Sequence, residues 1–412
     1  MHGYPPAIGG VELSTRDLCE GLVARHGFEV DVFTTAALSI AGFRDSRLPT
    51  APVPADEEQH GVRIHRFPVA TRWVGILRPV QRIAYGLRLP WNDRLRTLYD
   101  GPISPAMRRA VARQPADVVC AASFPLNHMR YAFAQSAAGP PVVLVAALHT
   151  NDPRGFERKS LVDLVNRSYA TIAHTQHELD WLVERGADSS RLRVIAHGLD
   201  PHDLRARRGE LRRRLGIGGS DFVVGFLGQH APHKGIDTLL RAVPRMLELR
   251  PDSWLVIGGA RTRFTEELER QIAALGRAGD RIRLLSNLTE HEKASLLCDC
   301  DVFASPSQRE SFGITTLEAW SFHKPVIVGS APSQHEVVEG GRSGFVVPYA
   351  DVEALLCALA RSMNESIREH VGDAGYRRLV ENYGRVEVER QYAELFGEAA
   401  AARARRSVAP SV

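Results

Sequence analysis

Lysine is nearly missing from this chain: residues 159, 234, 293 and 324 are the only four, against 48 arginines in 412 residues. Cysteine is also scarce, with five residues (19, 120, 298, 300 and 357) that are odd in number and scattered. Only Cys298-Asp299-Cys300 forms a close pair, so four ligands at zinc-site spacing are lacking and reduced, buried thiols are expected. No Asp-x-Asp pair stands where it would hold a metal, and none is expected. Long apolar runs are absent too. The longest, Val142 to Leu148, is far short of the roughly 20 residues a membrane-spanning helix needs. Met1 to Pro6 has neither a charged n-region nor an apolar h-region, which argues against a secretory leader and makes a cytoplasmic location the expectation. A net charge of +4 is too small to suggest a nucleic-acid partner.

What is present suits a soluble globular protein of two domains, with 44% apolar and 24% charged residues and no low-complexity block. Short β-branched runs alternate with helical patterns in both halves, which predicts α/β architecture with parallel sheets. In the first half, Val11, Leu18 and Leu22 share a helix ending near Gly27. Strands are expected at 29–33, 118–120 and 142–145, at a run ending in Ile172-Ala173, and at 193–195. An arginine-rich connection runs from Leu199 to Ser220. The second half restarts at Phe222–Gly228, with strands following at 254–259, 282–284, 302–304, 326–328 and 344–347. Thr289-Glu290-His291-Glu292 reads as a capping box. The divisions expected are 1–198, 199–375 and a returning helical segment, 376–412, that frays beyond residue 404. Two doubly wound domains joined this way imply a cleft, with ligands at the carboxyl ends of the strands.

The most informative stretch is Pro306-Ser307-Gln308-Arg309-Glu310-Ser311-Phe312-Gly313-Ile314, with Glu318 eight residues after Glu310. Leu317, Ala319 and Trp320 continue it into an apolar helix that stops before Pro325. A helix entered through Phe-Gly offers bare N–H groups and a positive dipole end, which is a seat for an anion. Carboxylates beside it repel phosphate but accept hydrogen bonds from hydroxyls. Together they ask for a ligand carrying both, such as a sugar nucleotide. Two further glycine loops open helices, at Gly9-Gly10-Val11-Glu12 and at Gly228-Gln229-His230-Ala231-Pro232-His233-Lys234-Gly235.

These segments, in this order, resemble the retaining GT-B glycosyltransferases of glycosyltransferase family four, from residue 5 to about residue 350. The 306–318 text matches the family's E-x7-E motif, Tyr-Pro-Pro-x-x-Gly-Gly-x-Glu its first loop, and 226–237 its Gly-Arg-x-x-x-x-Lys-Gly segment. The resemblance implies two Rossmann-like domains, a nucleotide-diphosphate sugar as donor substrate, and no metal or other cofactor. It places Glu310 facing the sugar, Lys234 on the diphosphate and His149 near the donor sugar, these three serving catalysis. It assigns donor binding to Gly9, Gly10, Gln229, Lys234, Arg309, Phe312, Gly313, Ile314 and Glu318, with Glu318 on the ribose hydroxyls.

Two departures stand out. Gln229 occupies the position where many relatives have arginine, so one counter-cation is lost unless Arg309, or a protonated His230 or His233, replaces it. Relatives also begin with an apolar strand before Tyr-Pro-Pro, and a central strand upstream of Met1 is therefore expected. Val194-Ile195-Ala196-His197-Gly198-Leu199-Asp200 resembles the family's hinge segment.

Residues 61–113 hold eleven arginines against Asp93 and Asp100 alone. From 72 to 91, Trp73, Ile76, Leu77, Val80, Ile83, Tyr85, Leu87 and Trp91 interleave with Arg72, Arg78, Arg82 and Arg88, while Pro79 and Pro90 interrupt any long helix. The stretch reads either as peripheral contact with an anionic membrane or as a solvated face or acceptor-pocket wall. Residues 36–115 carry no other landmark. The sequence thus points to a retaining glycosyltransferase acting on a carbohydrate or lipid-linked acceptor, in cell-envelope or exopolysaccharide synthesis. The alternatives are a non-catalytic GT-B subunit that binds nucleotide sugar, an epimerase whose acid and base cannot be assigned, and a phosphorylase requiring a cofactor lysine.

Overall fold

In this computed structural model, residues 1–7, 9–53, 56–135 and 139–408 are described. The chain divides into two compact units, Met1–Ala196 with Val386–Val412, and His197–Arg385.

The first unit holds two sheets. β1 (Val30–Thr35), β2 (Asp56–Gln59) and β3 (Val62–Phe67) form one, in the order β1-β3-β2, with β3 parallel to β1 and β2 antiparallel to β3. β4 (Val119–Ala122), β5 (Val142–Val145), β6 (Ala170–Ala173) and β7 (Leu192–Val194) form a parallel sheet in sequential order. Every residue of β5 and β6 is buried, which is why these strands read as unbroken apolar runs. Among the described residues no strand joins β1 to β4. The Met1 ammonium donates to Phe33 O at 2.7 Å, and Thr35 Oγ1 donates to His2 O at 2.7 Å.

The C-terminal helix, Arg385–Val408, buries Val388, Tyr392, Leu395, Phe396 and Ala399 against Val143, Val145 and Ile172. Glu389, with its side chain 1% exposed, is gripped there by the Arg25 guanidinium through bonds of 2.5 and 2.7 Å. The segment expected to return as one piece is two helices. Residues 376–382 belong to the helix Glu365–Asn382, which stays with the second unit through buried Leu379 and through Arg378, donating to Val337 O at 2.7 Å. The fraying expected past residue 404 does not begin there, because the alanine-rich turn from Ala399 favours helix and Arg403 donates to Ala116 O at 2.5 Å. The rest of that tail, residues 409–412, lies outside the described residues.

The second unit is one parallel sheet of six strands: β8 (Phe222–Leu227), β9 (Ser253–Gly259), β10 (Ile282–Ser286), β11 (Val302–Ser305), β12 (Val326–Gly329) and β13 (Phe345–Val347). Their order is β10-β9-β8-β11-β12-β13. Phe222, Val224 and Phe226 face a helical layer built from Ile236, Leu239, Leu240, Val243 and Met246. The capping box forms as expected, with Thr289 Oγ1 accepting from the Glu292 N–H and Glu292 reaching back to the Thr289 N–H. Among the described residues no helix is long and apolar enough to cross a membrane.

Candidate functional site

Two chain directions part in the second unit's sheet. From β8 the chain winds outward through β9 to β10, then crosses to the other side at β11. The loops leaving the carboxyl ends of β8 and β11 therefore diverge side by side, and such a switch point is where open α/β sheets bind ligands.

The loop after β8 is Gly228–Gly235 and the loop after β11 is Pro306–Gly313. Gln308 N–H donates to His233 O at 2.8 Å, zipping one to the other. Gly235 turns into the helix Ile236–Leu249 at φ +74, and a Cβ there would lie 2.2 Å from Pro306 O. Only glycine allows that approach. The closure brings Lys234 and Glu310 together: Nζ donates to Oε2 at 2.7 Å, with the two side chains 18% and 17% exposed. Two residues 76 apart in sequence thus form one ion pair.

Gly313 is the second turning point. At φ +88 it caps the helix Ile314–Ser321, and a Cβ would meet Gln334 Nε2 at 2.1 Å. Gln334 donates to Phe312 O, and Ser333 Oγ donates to Glu310 O at 2.6 Å, so the loop is held from beneath. Phe312 is buried edge-on to His197 (5.2 Å) and Tyr383 (5.5 Å). No side chain caps the helix, and among the described residues the N–H groups of Gly313 and Ile314 have no hydrogen-bond partner. Glu318 sits half-buried on this helix between buried Leu317 and Ala319. The arrangement can take an anion at the Gly313 turn and the Lys234 ammonium, and hydroxyls at the carboxylates.

Of the residues singled out from sequence, Gln229, Lys234, Arg309, Glu310, Phe312, Gly313, Ile314 and Glu318 all fall on these two loops and the helix they open. Gln229 is exposed. His230 is not available as a substitute cation: it is fully buried, its Nδ1 lies 3.0 Å from Thr265 Oγ1, and burial, then Arg261, pushes its pKa below the ordinary value. It is neutral at pH 7, which corrects the expectation that protonation there could replace an arginine at 229.

Gly9, Gly10 and His149 belong to the first unit. Gly10 opens the helix Gly10–His26, which lacks a side-chain cap. Glu12 bends back over the turn, pairing with His2 Nε2 at 3.0 Å, and a Cβ on Gly9 would lie 2.2 Å from its Oε2. Burial raises the Glu12 pKa, but the His2 hydrogen bond and charge outweigh it and hold the group below its ordinary value. Some of the positive end of this helix is therefore already met by the chain's own carboxylate. His149 follows buried Leu148 and packs edge-on to Phe156 at 5.6 Å.

Glu178 escaped the sequence reading. Fully buried, it accepts from Leu148 N–H at 2.6 Å and His174 N–H at 2.7 Å, fastening the turns that leave β5 and β6, one of which carries His149. Thr175-x-x-Glu178 has capping-box spacing, which marks the helix start. It does not disclose that the carboxylate turns to the strand ends instead.

Two family models divide the chain: residues 9–198 match the glycosyl transferase 4-like domain, and residues 207–378 match the glycosyl transferases group 1 model. Among curated relatives, the D-inositol 3-phosphate glycosyltransferase of Stackebrandtia nassauensis is 32% identical over 194 residues, covering 45% of this chain and 44% of that protein. That of Geodermatophilus obscurus is 33% identical over 236 residues, covering 51% and 50%. The chain spans about half the length of the curated relatives it matches. Among solved structures, Anabaena HepE in complex with UDP and glucose matches with a TM-score of 0.69 at 19% identity, over 97% of this chain and 98% of that one. Sucrose-phosphate synthase from Thermosynechococcus elongatus matches with a TM-score of 0.73 at 18% identity, over 96% and 94%. At such identity the structural likeness speaks for the fold alone. With one model on each half and GT-B neighbours along nearly its whole length, the chain belongs to the GT-B glycosyltransferases of the family-four type.

Proposed function

We propose that the protein transfers a sugar from a nucleoside diphosphate sugar to a carbohydrate or lipid-linked acceptor with retention of anomeric configuration. Its setting is the assembly of a cell-envelope or exopolysaccharide glycan at the cytoplasmic face of a membrane. The observation that carries this reading is the Lys234–Glu310 pair beside the uncapped helix at Gly313, at the switch point of a doubly wound sheet. As the anomeric carbon becomes oxocarbenium-like, negative charge builds on the departing diphosphate. The Lys234 ammonium, once released from Glu310, and the N–H groups fixed at the Gly313 turn meet that charge, and no metal is required. Arg309 adds positive charge from the same loop. Glu310 takes the sugar hydroxyls and Glu318 the ribose hydroxyls. His149 donates to the donor sugar. The acceptor enters on the leaving-group face and its proton passes to the diphosphate.

The HepE complexes make UDP and UDP-glucose the first ligands to try, and the inositol phosphate relatives make a phosphorylated polyol the first acceptor. The test combines product formation with thermal stability in UDP, GDP, ADP and their sugars. A nucleotide at 100 times its dissociation constant stabilises by about 2.7 kcal/mol. One base is expected to raise the melting temperature in the wild type and not in Glu318→Ala. The product should keep the donor's anomeric configuration, and turnover should persist in EDTA. An inverted product, or turnover abolished by EDTA and restored by a divalent cation, would overturn the mechanism.

A second reading, a non-catalytic subunit that binds nucleotide sugar and regulates a partner, is favoured by neutral residues at both 229 and 230. It predicts the same base-specific stabilisation with no donor-dependent product on any acceptor. Restoring the cation with Gln229→Arg separates the two, since a catalyst should gain turnover and a binding subunit only affinity.

A further inference from the structure

Within the first unit, a run of large apolar side chains faces solvent on the helix Val74–Gly86 and its flanks. Ile76 is 61% exposed, Ile83 60% and Leu87 67%, with Trp73 at 46% and Trp91 at 50%. At about 100° per residue, Trp73, Ile76, Val80, Ile83 and Leu87 fall within about 80° of the helix circumference, so they form one stripe. Gln81 and Ala84 are buried on the neighbouring side and anchor the helix to its own unit. Pro79, expected to break the helix, does not. It removes a ladder bond toward Gly75, which stands in open space on an exposed turn.

Beside the start of this stripe is a hollow of about 430 Å³ lined by Arg44, Arg47, Arg72 and Arg78, with Thr71 and Ser46 as hydroxyl donors. Among the described residues of its wall Asp45 is the one acid, and it is engaged by Arg47 at 2.9 Å. Arg72 stacks over the Trp73 ring at 5.2 Å, joining the basic hollow to the apolar stripe. An apolar face alone would suit many partners. An apolar stripe bordered by a cationic hollow of headgroup size is complementary to one surface in particular, a leaflet whose acyl boundary takes the stripe while its phosphates meet the arginines.

We propose that the helix Val74–Gly86 and the Arg44/Arg47/Arg72/Arg78 hollow form a docking surface for an anionic bilayer, with a lipid phosphate seated in the hollow. The proposal deepens the reading of a membrane-side acceptor. Its test needs no sugar donor, so its failure and the failure of the transferase reading are separable.

The experiment is flotation of the full chain with vesicles of phosphatidylcholine alone and with 30 mol% (about one third) phosphatidylglycerol, in low and high salt. Binding is expected to the anionic vesicles, weakening in salt. The triple variant Ile76→Ser, Ile83→Ser, Leu87→Ser should lose binding by about tenfold or more. Arg72→Gln with Arg78→Gln should lose a similar factor on anionic vesicles and nothing on neutral ones. All five positions are exposed, and matching thermal melts will show that the fold is unchanged. No binding by the wild type, or equal binding by both variants, would overturn the proposal. So would a wild-type dimer in sedimentation that the triple variant abolishes, because the stripe would then be a surface between copies of this chain.

Discussion

A single hydrogen-bonded pair, Lys234 with Glu310, ties the two loops of the second unit together, and in the proposed transfer the two residues answer to different parts of the ligand. If Lys234 meets the diphosphate as proposed, Lys234→Ala removes a charge-assisted bond worth about 1.5–3 kcal/mol, so nucleoside diphosphate affinity should fall about 10- to 100-fold. Glu310→Gln frees the ammonium, so affinity for the same nucleotide should hold or tighten while turnover drops. Calorimetric titration of both variants decides the matter, and equal weakening in the two would refute this division of roles. The motif text located both residues in the sequence, because glycines and carboxylates at these spacings leave a recognisable imprint. Their contact was not legible there, since it depends on β8 and β11 lying side by side. Two other features were hidden for a related reason. The neutrality of His230 follows from burial, and the role of Glu178 depends on strand ends that the sheet order brings together.

At the level of elements, apolar runs were readable even at sheet edges, as at β10 and β13, whereas the polar β2 and the interrupted β3 were not. β8, β11 and β12 are continuous apolar runs because helices cover both sides of the sheet. β2 is Asp-Glu-Glu-Gln on a sheet edge and carries no apolar signal. β3 alternates correctly, with Val62 and Ile64 inward, but its third inward residue is Arg66. That guanidinium is buried against Glu57 and the carbonyls of Tyr4 and Pro5, so the apolar period-two pattern ends halfway. The turn into the helix Ile314–Ser321 was legible as Phe-Gly, and its geometry makes a sharp prediction. At φ +88, with Gln334 Nε2 2.1 Å from where a Cβ would stand, Gly313→Ala must distort the turn. The left-handed conformation alone costs about 1–2 kcal/mol. Nucleotide-induced stabilisation should disappear in this variant even where the folded protein remains. A Gly313→Ala protein that melts and binds nucleotide as the wild type does would show that the turn is not the anion seat.

For the whole molecule, neutral histidines held inside the fold set a limit on the acid side. His128 and His174 in the first unit and His230 in the second are each 3% exposed or less, and each has its pKa lowered chiefly by burial. His174 is the best defined. Its Nδ1 is 3.0 Å from Ile195 O, and its pKa falls from an ordinary 6.5 to about 4. As pH drops below 6.5 the unfolded chain takes up the proton while the folded chain does not, so stability is full above 6.5 and declines toward pH 4. Below that both states are protonated and the loss levels off. A shift of this size corresponds to about 3 kcal/mol across the window, at about 1.36 kcal/mol per unit. The comparison that isolates it is His174→Asn, which keeps a short amide donor facing the Ile195 carbonyl and cannot titrate. Denaturant melts of both proteins at intervals from pH 7 to pH 4 should converge, with the wild type losing about 3 kcal/mol more than the variant in the transition of the first unit. Other titrating groups act equally in both and cancel in the difference. Parallel curves would mean that His174 is reached by water, and protonated, before the fold gives way.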